Sequence, residues 1–240
     1  MSTSRTLPRK ALAGALAVTL VTAAGCKSGT STTADSPRPT PTASATKALS
    51  AMSAREILAA TERAFLSARS VHVKGTIKDG SDIVAIDMRL TRQGARGTMR
   101  GPIAGRPVSM QMIATANALY LRGEEFWQAT AGSAAARHLG NRWVAVPKHG
   151  APTQLFLSLQ SFSKQVFDQD SRAVKGKPTK IGGRRVIPLI ATDDRSVLYI
   201  AATGTPYPVR IAEAGGKRHV DLGGYNAPVT IKKPAHAVSP

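Results

Sequence analysis

Apolar and polar positions fall in blocks that read as one helix, a run of strands, a second helix and a second run of strands. Ser53 and Glu56 have capping-box spacing, and Ile57, Ala60, Ala64, Phe65 and Ala68 follow on one face at helical intervals. Strand periodicity comes next. Val71, Val73 and Ile77 alternate with His72, Lys74 and Lys78, Asp79-Gly80-Ser81 supplies a turn, and Ile86, Met88 and Leu90 then alternate with Asp87, Arg89 and Thr91. Val108, Met110 and Met112 repeat the pattern against Ser109 and Gln111, and Leu119 and Leu121 continue it after Asn117. The spacing of Leu155, Leu159, Phe162 and Val166 predicts a second helix over residues 153–167. Further strands are expected at 184–191, 196–202 and 207–212, with a short one near Val229-Thr230-Ile231. Hairpin-length connections make the sheet mainly antiparallel, because parallel neighbours need a crossover each time.

The blocks at 186–190 and 197–200 are apolar at consecutive positions, so both faces of these strands need cover. That cover is either other protein segments or a ligand. By alternation Met88, Met110 and Met112 point to an apolar side, and unbranched methionine suits a cavity that must adapt to its contents. With Met99, Ile86, Leu90, Val108, Leu119 and Leu121 they make the candidate lining of an apolar cavity. The same residues would serve equally as ordinary core.

The first residues tell a separate story. Arg5, Arg9 and Lys10 precede a largely apolar stretch from Ala11 to Ala24, which is short for a permanent membrane helix but fits a secretory signal. Gly25 and Cys26 follow, and Cys26 is the only cysteine of the chain. Small residues before a cysteine admit a signal peptidase, and the freed Cys26 can then carry a diacylglycerol. Ala23 stands where the bacterial lipobox usually has a bulkier aliphatic residue. Ordinary cleavage after Thr22-Ala23-Ala24 would leave Cys26 as an exposed thiol, a liability outside the cell. Intramolecular disulfides are excluded either way, so the core must hold the fold. Residues 27–50 are rich in Ser, Thr, Ala and Pro and are expected to be a disordered tether reaching roughly 25–30 Å. The domain organisation is therefore a signal peptide at 1–25, a lipidated N-terminus and tether at 26–50, a single domain at 51–234 and a tail at 235–240.

The formal net charge is +19 over 240 residues. In a cytosolic protein that would suggest nucleic acid, but export argues against such a partner, and aromatic and basic residues do not interleave as on a base-stacking surface. The lysines and arginines are spread out, with short pairs at Arg184-Arg185, Lys217-Arg218 and Lys232-Lys233. Such a surface is either simply solvated or drawn to anionic lipid headgroups and cell-wall polyanions.

Catalytic chemistry is weakly represented. His72, His138, His149, His219 and His236 are too dispersed for a metal helix, and no metal or cofactor is expected. Ser161-Phe162-Ser163-Lys164 matches the Ser-x-x-Lys pattern of penicillin-recognising enzymes, without their companion motifs. The pairs Glu124-Glu125 and Asp193-Asp194 read as solvated acids at turns, and Trp127 and Trp143 as structural anchors. The expected protein is not an enzyme.

Several stretches, in order, resemble a known group. They are Ala68-Arg69-Ser70-Val71-His72-Val73-Lys74-Gly75, Ala118-Leu119-Tyr120-Leu121, Arg142-Trp143-Val144-Ala145-Val146-Pro147, the run from Ser196-Val197-Leu198-Tyr199-Ile200 through Thr205-Pro206-Tyr207-Pro208-Val209-Arg210-Ile211, and Asn226-Ala227-Pro228-Val229-Thr230-Ile231. Together they resemble bacterial envelope lipoproteins of the LppX and LprG type, relatives of the LolA and LolB carriers. The resemblance implies an α+β fold: one curved antiparallel sheet, a half-barrel, with helices packed against its concave face and an apolar cavity between. It also implies a monomer that binds a lipid or acylated molecule and works with an envelope protein partner, anchored outside the cytoplasm by a lipid on Cys26. A sensor or interaction lipoprotein with a filled core is the other reading of the same fold. Replacing Cys26 by Ser should shift the exported protein from the detergent to the aqueous phase in a partition assay and remove the diacylglyceryl mass from its N-terminal peptide.

Overall fold

The computed structural model describes residues 48–148, 154–167 and 172–239; the expected signal, Cys26 and the tether as far as residue 47 lie outside the described residues. A 3-10 turn at Leu49–Ala51 leads into α1 (Ala54–Ser67). The capping box forms as spaced: the Glu56 backbone N–H donates to Ser53 Oγ, and the Ser53 N–H donates to the Glu56 carboxylate at 2.7 Å. Ile57, Thr61, Ala64 and Phe65 form the buried stripe of α1. Thr61 fits because its hydroxyl donates to the Ile57 carbonyl at 2.8 Å.

Five strands follow: β1 (Ser70–Asp79), β2 (Asp82–Thr91), β3 (Ala95–Ile103), β4 (Arg106–Ala114) and β5 (Leu119–Arg122). Then come α2 (Glu124–Leu139) and β6 (Val144–Val146). A second 3-10 turn at Gln154–Phe156 precedes α3 (Leu159–Phe167), so the expected second helix is broken in two near Ser158. The C-terminal part holds β7 (Ala173–Lys175), β8 (Thr179–Ile181), β9 (Arg184–Ala191), β10 (Val197–Ala201), β11 (Pro208–Ala212) and β12 (His219–Gly223). Among the described residues these make one open antiparallel sheet in the order β6-β5-β4-β3-β2-β1-β12-β11-β10-β9-β7, with β8 also on β9. The helices lie on its concave face, and the two halves of the sheet join only through β1 and β12.

Several expectations change here. Glu124 and Glu125 do not sit at a solvated turn; they open α2, where acidic side chains favour the positive end of the helix. That helix was hidden by its small residues and by Gly132, whose φ of 83° breaks it midway. Val229-Thr230-Ile231 form no strand, and the last strand is β12, where Val220 and Leu222 alternate with His219 and Asp221. The segment after β12 instead clamps the start of β1: the Ser70 hydroxyl donates to the Ala227 carbonyl at 2.6 Å, and Asn226 Oδ1 accepts the Arg69 N–H at 2.8 Å. Past Pro234 the chain stays on the sheet, where Val238 exchanges backbone hydrogen bonds with Trp143 and Ala145 beside β6.

Registry puts one row of side chains from every strand on the concave side. Val73 stands opposite Met88 and Leu222, Met99 opposite Met110, and Leu198 opposite Leu189 and Ile211. Phe65 is fully buried at the centre, with Phe162 and Phe167 of α3 at 5.7 Å between ring centres and Tyr225 at 6.4 Å. The apolar strands β9 and β10 are covered by protein on both sides. Ile187, Leu189 and Ile200 pack with Ile57, Leu49 and Met52. On the other face Val186 and Pro188 are buried too, Pro188 beside its ladder neighbour Gly176, where a Cβ would come within 2.8 Å of Pro188 Cγ.

The convex face is polar. Asp87 accepts from His72 Nε2 at 2.7 Å and Lys74 Nζ at 3.2 Å, and Asp221 binds the Arg210 guanidinium through two bonds of 2.6 and 3.0 Å. Partial burial works to raise the Asp87 carboxyl, but the hydrogen bonds from His72 and Lys74 outweigh it and hold it below the ordinary range. A lowered folded value contributes stability above the unfolded value and loses it as pH falls through the folded one. Thermal melts should therefore drop below about pH 4, and Asp87→Asn should flatten that acid limb. Phe65→Ala should cost about 3–5 kcal/mol in denaturant unfolding, as a cavity opens at the meeting of three other rings.

Candidate functional site

β3 is the thin place in the concave face. Its inward positions are Ala95, Gly97, Met99, Gly101 and Ile103, so two of the five carry no side chain. The hollow at Gly97 is filled by its neighbour, since a Cβ there would meet Met88 Sδ at 2.6 Å and overlap the Asp87 carbonyl. At Gly101 a Cβ would meet Val84 Cγ2 at 3.0 Å and the Ile83 carbonyl at 3.2 Å, with no long side chain filling the place. A cavity of about 600 Å³ opens at this end of the strands.

Its floor is Ile77 of β1, Val84 of β2, Met99, Gly101 and Ile103 of β3, and Val108 and Met110 of β4. Phe126 and Thr130 of α2, Leu155 and Phe156 of the 3-10 turn, and Gln165 of α3 form the cover. Lys78, Asp79 and Arg100 add polar groups at its edge. Thr130 fits this cover because its hydroxyl donates to the Phe126 carbonyl at 2.7 Å. The volume falls within the usual range of small-molecule sites, and most of the lining is hydrocarbon. A smaller cavity of about 250 Å³ lies between α1, α3 and β9–β11, lined by Leu58, Val166, Leu189, Leu198 and Ile211 among others, and Gln165 borders it too. A depression of about 560 Å³ around Ser109, Gln111, Arg122, Glu124, Glu125 and Gln128 is polar and offers little to a hydrocarbon chain.

Of the apolar residues named from the sequence, Met99, Val108 and Met110 line the larger cavity. Ile86, Met88, Leu90, Met112, Leu119 and Leu121 share the same concave face but are sealed in the core beside it, 0–5% exposed. The cover residues Phe126, Leu155 and Phe156 were missed, because their apolar character does not announce which hollow they close. The signal within reach was glycine at Gly97 and Gly101, on the same face of one strand.

Polar chemistry stays scattered. Ser161 lies within α3, and its hydroxyl is 3.1 Å from that of Ser158, while Lys164 is exposed. Trp127 packs edge-on against Phe126 at 4.8 Å, and the Arg122 guanidinium lies 5.4 Å from the Trp143 ring. Tyr225 stacks on Tyr207 at 4.0 Å and donates to the Pro208 carbonyl at 2.7 Å. Burial pushes its phenol well above the ordinary range, so it stays neutral. Among the described residues no three His, Cys, Asp or Glu side chains converge on a metal-sized site, and no helix is long and apolar enough to cross a membrane.

No protein-family model and no curated protein sequence matches the chain. Among solved structures, it is similar to LprF from Mycobacterium bovis with a TM-score of 0.51 and 18% identity, over 75% of this chain and 96% of that one. A conserved protein from Thermus thermophilus matches with a TM-score of 0.38 and 14% identity, over 78% of this chain and 97% of that one. The MucA/MucB complex of Pseudomonas aeruginosa matches with a TM-score of 0.34 and 12% identity, over 76% of this chain and 59% of that one. The likeness to LprF establishes the fold, a curved open sheet with helices on its concave side.

Proposed function

We propose that this chain is an envelope lipoprotein, anchored through Cys26, that takes lipid acyl chains into the cavity beneath α2 and α3 and carries or shields them outside the cytoplasm. The single observation behind this reading is the apolar hollow of about 600 Å³ at Gly101, roofed by Phe126, Leu155 and Phe156. Each methylene moved from water into such a site is worth about 0.8 kcal/mol, so eight of them supply roughly 6 kcal/mol before ordering costs. No covalent step enters this function. The lipid's headgroup is met by Lys78, Asp79 and Arg100 at the cavity edge.

The test starts from a chain that begins at residue 26 and carries Cys26→Ser, which contains the whole compact unit from Thr46 onward. Organic extraction followed by mass spectrometry should find co-purified lipid, and the protein should take up a fluorescent fatty acid from vesicles. Met99→Gln with Ile103→Gln should lower that uptake about tenfold by placing amides against hydrocarbon, with the melting profile little changed because both positions are only half-buried. A protein that yields no lipid and takes up no probe is a docking or sensor lipoprotein instead.

A further inference from the structure

We infer that the β7–β8–β9 edge is a docking surface for an anionic lipid bilayer, an inference that rests on the membrane-anchored reading above. Between Arg172 and Arg185 the chain has six basic residues (Arg172, Lys175, Lys177, Lys180, Arg184 and Arg185) and no acidic one. All six are exposed. The fold concentrates them: β8 pairs with the first half of β9 and β7 with its second half, so one sheet edge carries the whole set. Lys180 stands directly opposite Arg185 in that pairing. Like charges facing each other across strands destabilise a sheet. The ion pairs of Asp87, Glu213 and Asp221 lie elsewhere in the fold, and among the described residues no carboxylate bridges Lys177, Lys180, Arg184 or Arg185. One or two charges are enough to keep a short edge strand from pairing with another molecule. Six on one exposed edge exceed that need and offer a surface complementary to a partner of opposite charge.

The chain's own path says which partner. Lys175 Nζ donates to the carbonyls of Ser50 at 2.9 Å and Met52 at 2.7 Å, so the start of the described chain lies beside this edge. A tether holds the domain at high local concentration over the surface that carries its anchor, and weak charge attraction then suffices to orient it. Val174, half-exposed on the same edge, adds an apolar contact at the headgroup boundary.

The experiment uses the Cys26→Ser chain from residue 26, sedimented with vesicles of phosphatidylcholine alone or mixed with phosphatidylglycerol. Binding should require phosphatidylglycerol and fade as salt screens it. Lys177→Gln, Lys180→Gln, Arg184→Gln and Arg185→Gln together should weaken binding by roughly fivefold per charge removed. A control with the same loss of charge, Arg106→Gln, Arg137→Gln, Lys232→Gln and Lys233→Gln, should bind as the parent does. Equal loss in both variants overturns the inference, since net charge alone would then account for binding. So does a parent chain that ignores phosphatidylglycerol vesicles but binds soluble polyphosphate, which points to a wall polymer. Fatty-acid uptake is read separately: the edge variant should keep it, and its absence from the parent refutes the cavity reading without touching the vesicle result.

Discussion

Among the described residues, the sheet of twelve strands has more apolar surface on its concave side than the three helices cover. Each square ångström left wet costs about 25 cal/mol, so the helices are placed where the surface is richest. The α1–α3 pair closes the middle through Phe65, Phe162 and Phe167, and α2 closes the part over β3 and β4. What remains is a hollow at the thinnest strand, where Gly101 stands in place of a side chain. The cavity is thus the remainder of an incomplete covering, which explains why it needs no dedicated loop or insertion.

The two faces divide the work. Inward positions are nearly all aliphatic or aromatic, while outward positions carry cross-strand pairs such as Lys74–Asp87 and Arg210–Asp221. These partly exposed pairs add little stability each, but they fix which face turns outward. Toward β9, among the described residues, such pairs stop. The positive charge is therefore unevenly paired: partly neutralised along the central strands and without ion pairs on β8 and the start of β9.

Much of the fold was legible where alternation was strong. β1, β2, β4 and β9 stand where their periodicity places them, and α1 begins at its capping box. The misses share a physical cause, which is small or polar residues at positions where packing rather than propensity decides. β3 carries Gly97, Gly101 and Pro102, and α2 carries Gly132, Ser133 and a row of alanines that shows no apolar stripe. The β7 and β8 strands are only three residues long, with one lysine each, and they exist because β9 offers them a ladder. Alternation picks out the face on which the cavity lies but not the end at which it opens. Met88 and Met110 look alike in sequence, yet Met88 fills the gap at Gly97 and Met110 faces an open one. Three of the five stretches that carried the resemblance meet at one corner, where Ser70 donates to Ala227 and Asn226 to Tyr207, while those at 118–121 and 142–147 lie at the far edge on β5 and β6.

The junction of β1 with β12 bears on how the molecule is born. A chain made from its N-terminus delivers β1 through β6 long before His219, so β1 waits with an open ladder on one side. Distant partners of this kind make folding slow and leave unpaired strands exposed to neighbours. The clamp of Ser70 on Ala227 is the last stitch of that closure. Late arrival of the C-terminal strands therefore leaves β1 the strand most open to wrong pairing until the final hairpin is in hand.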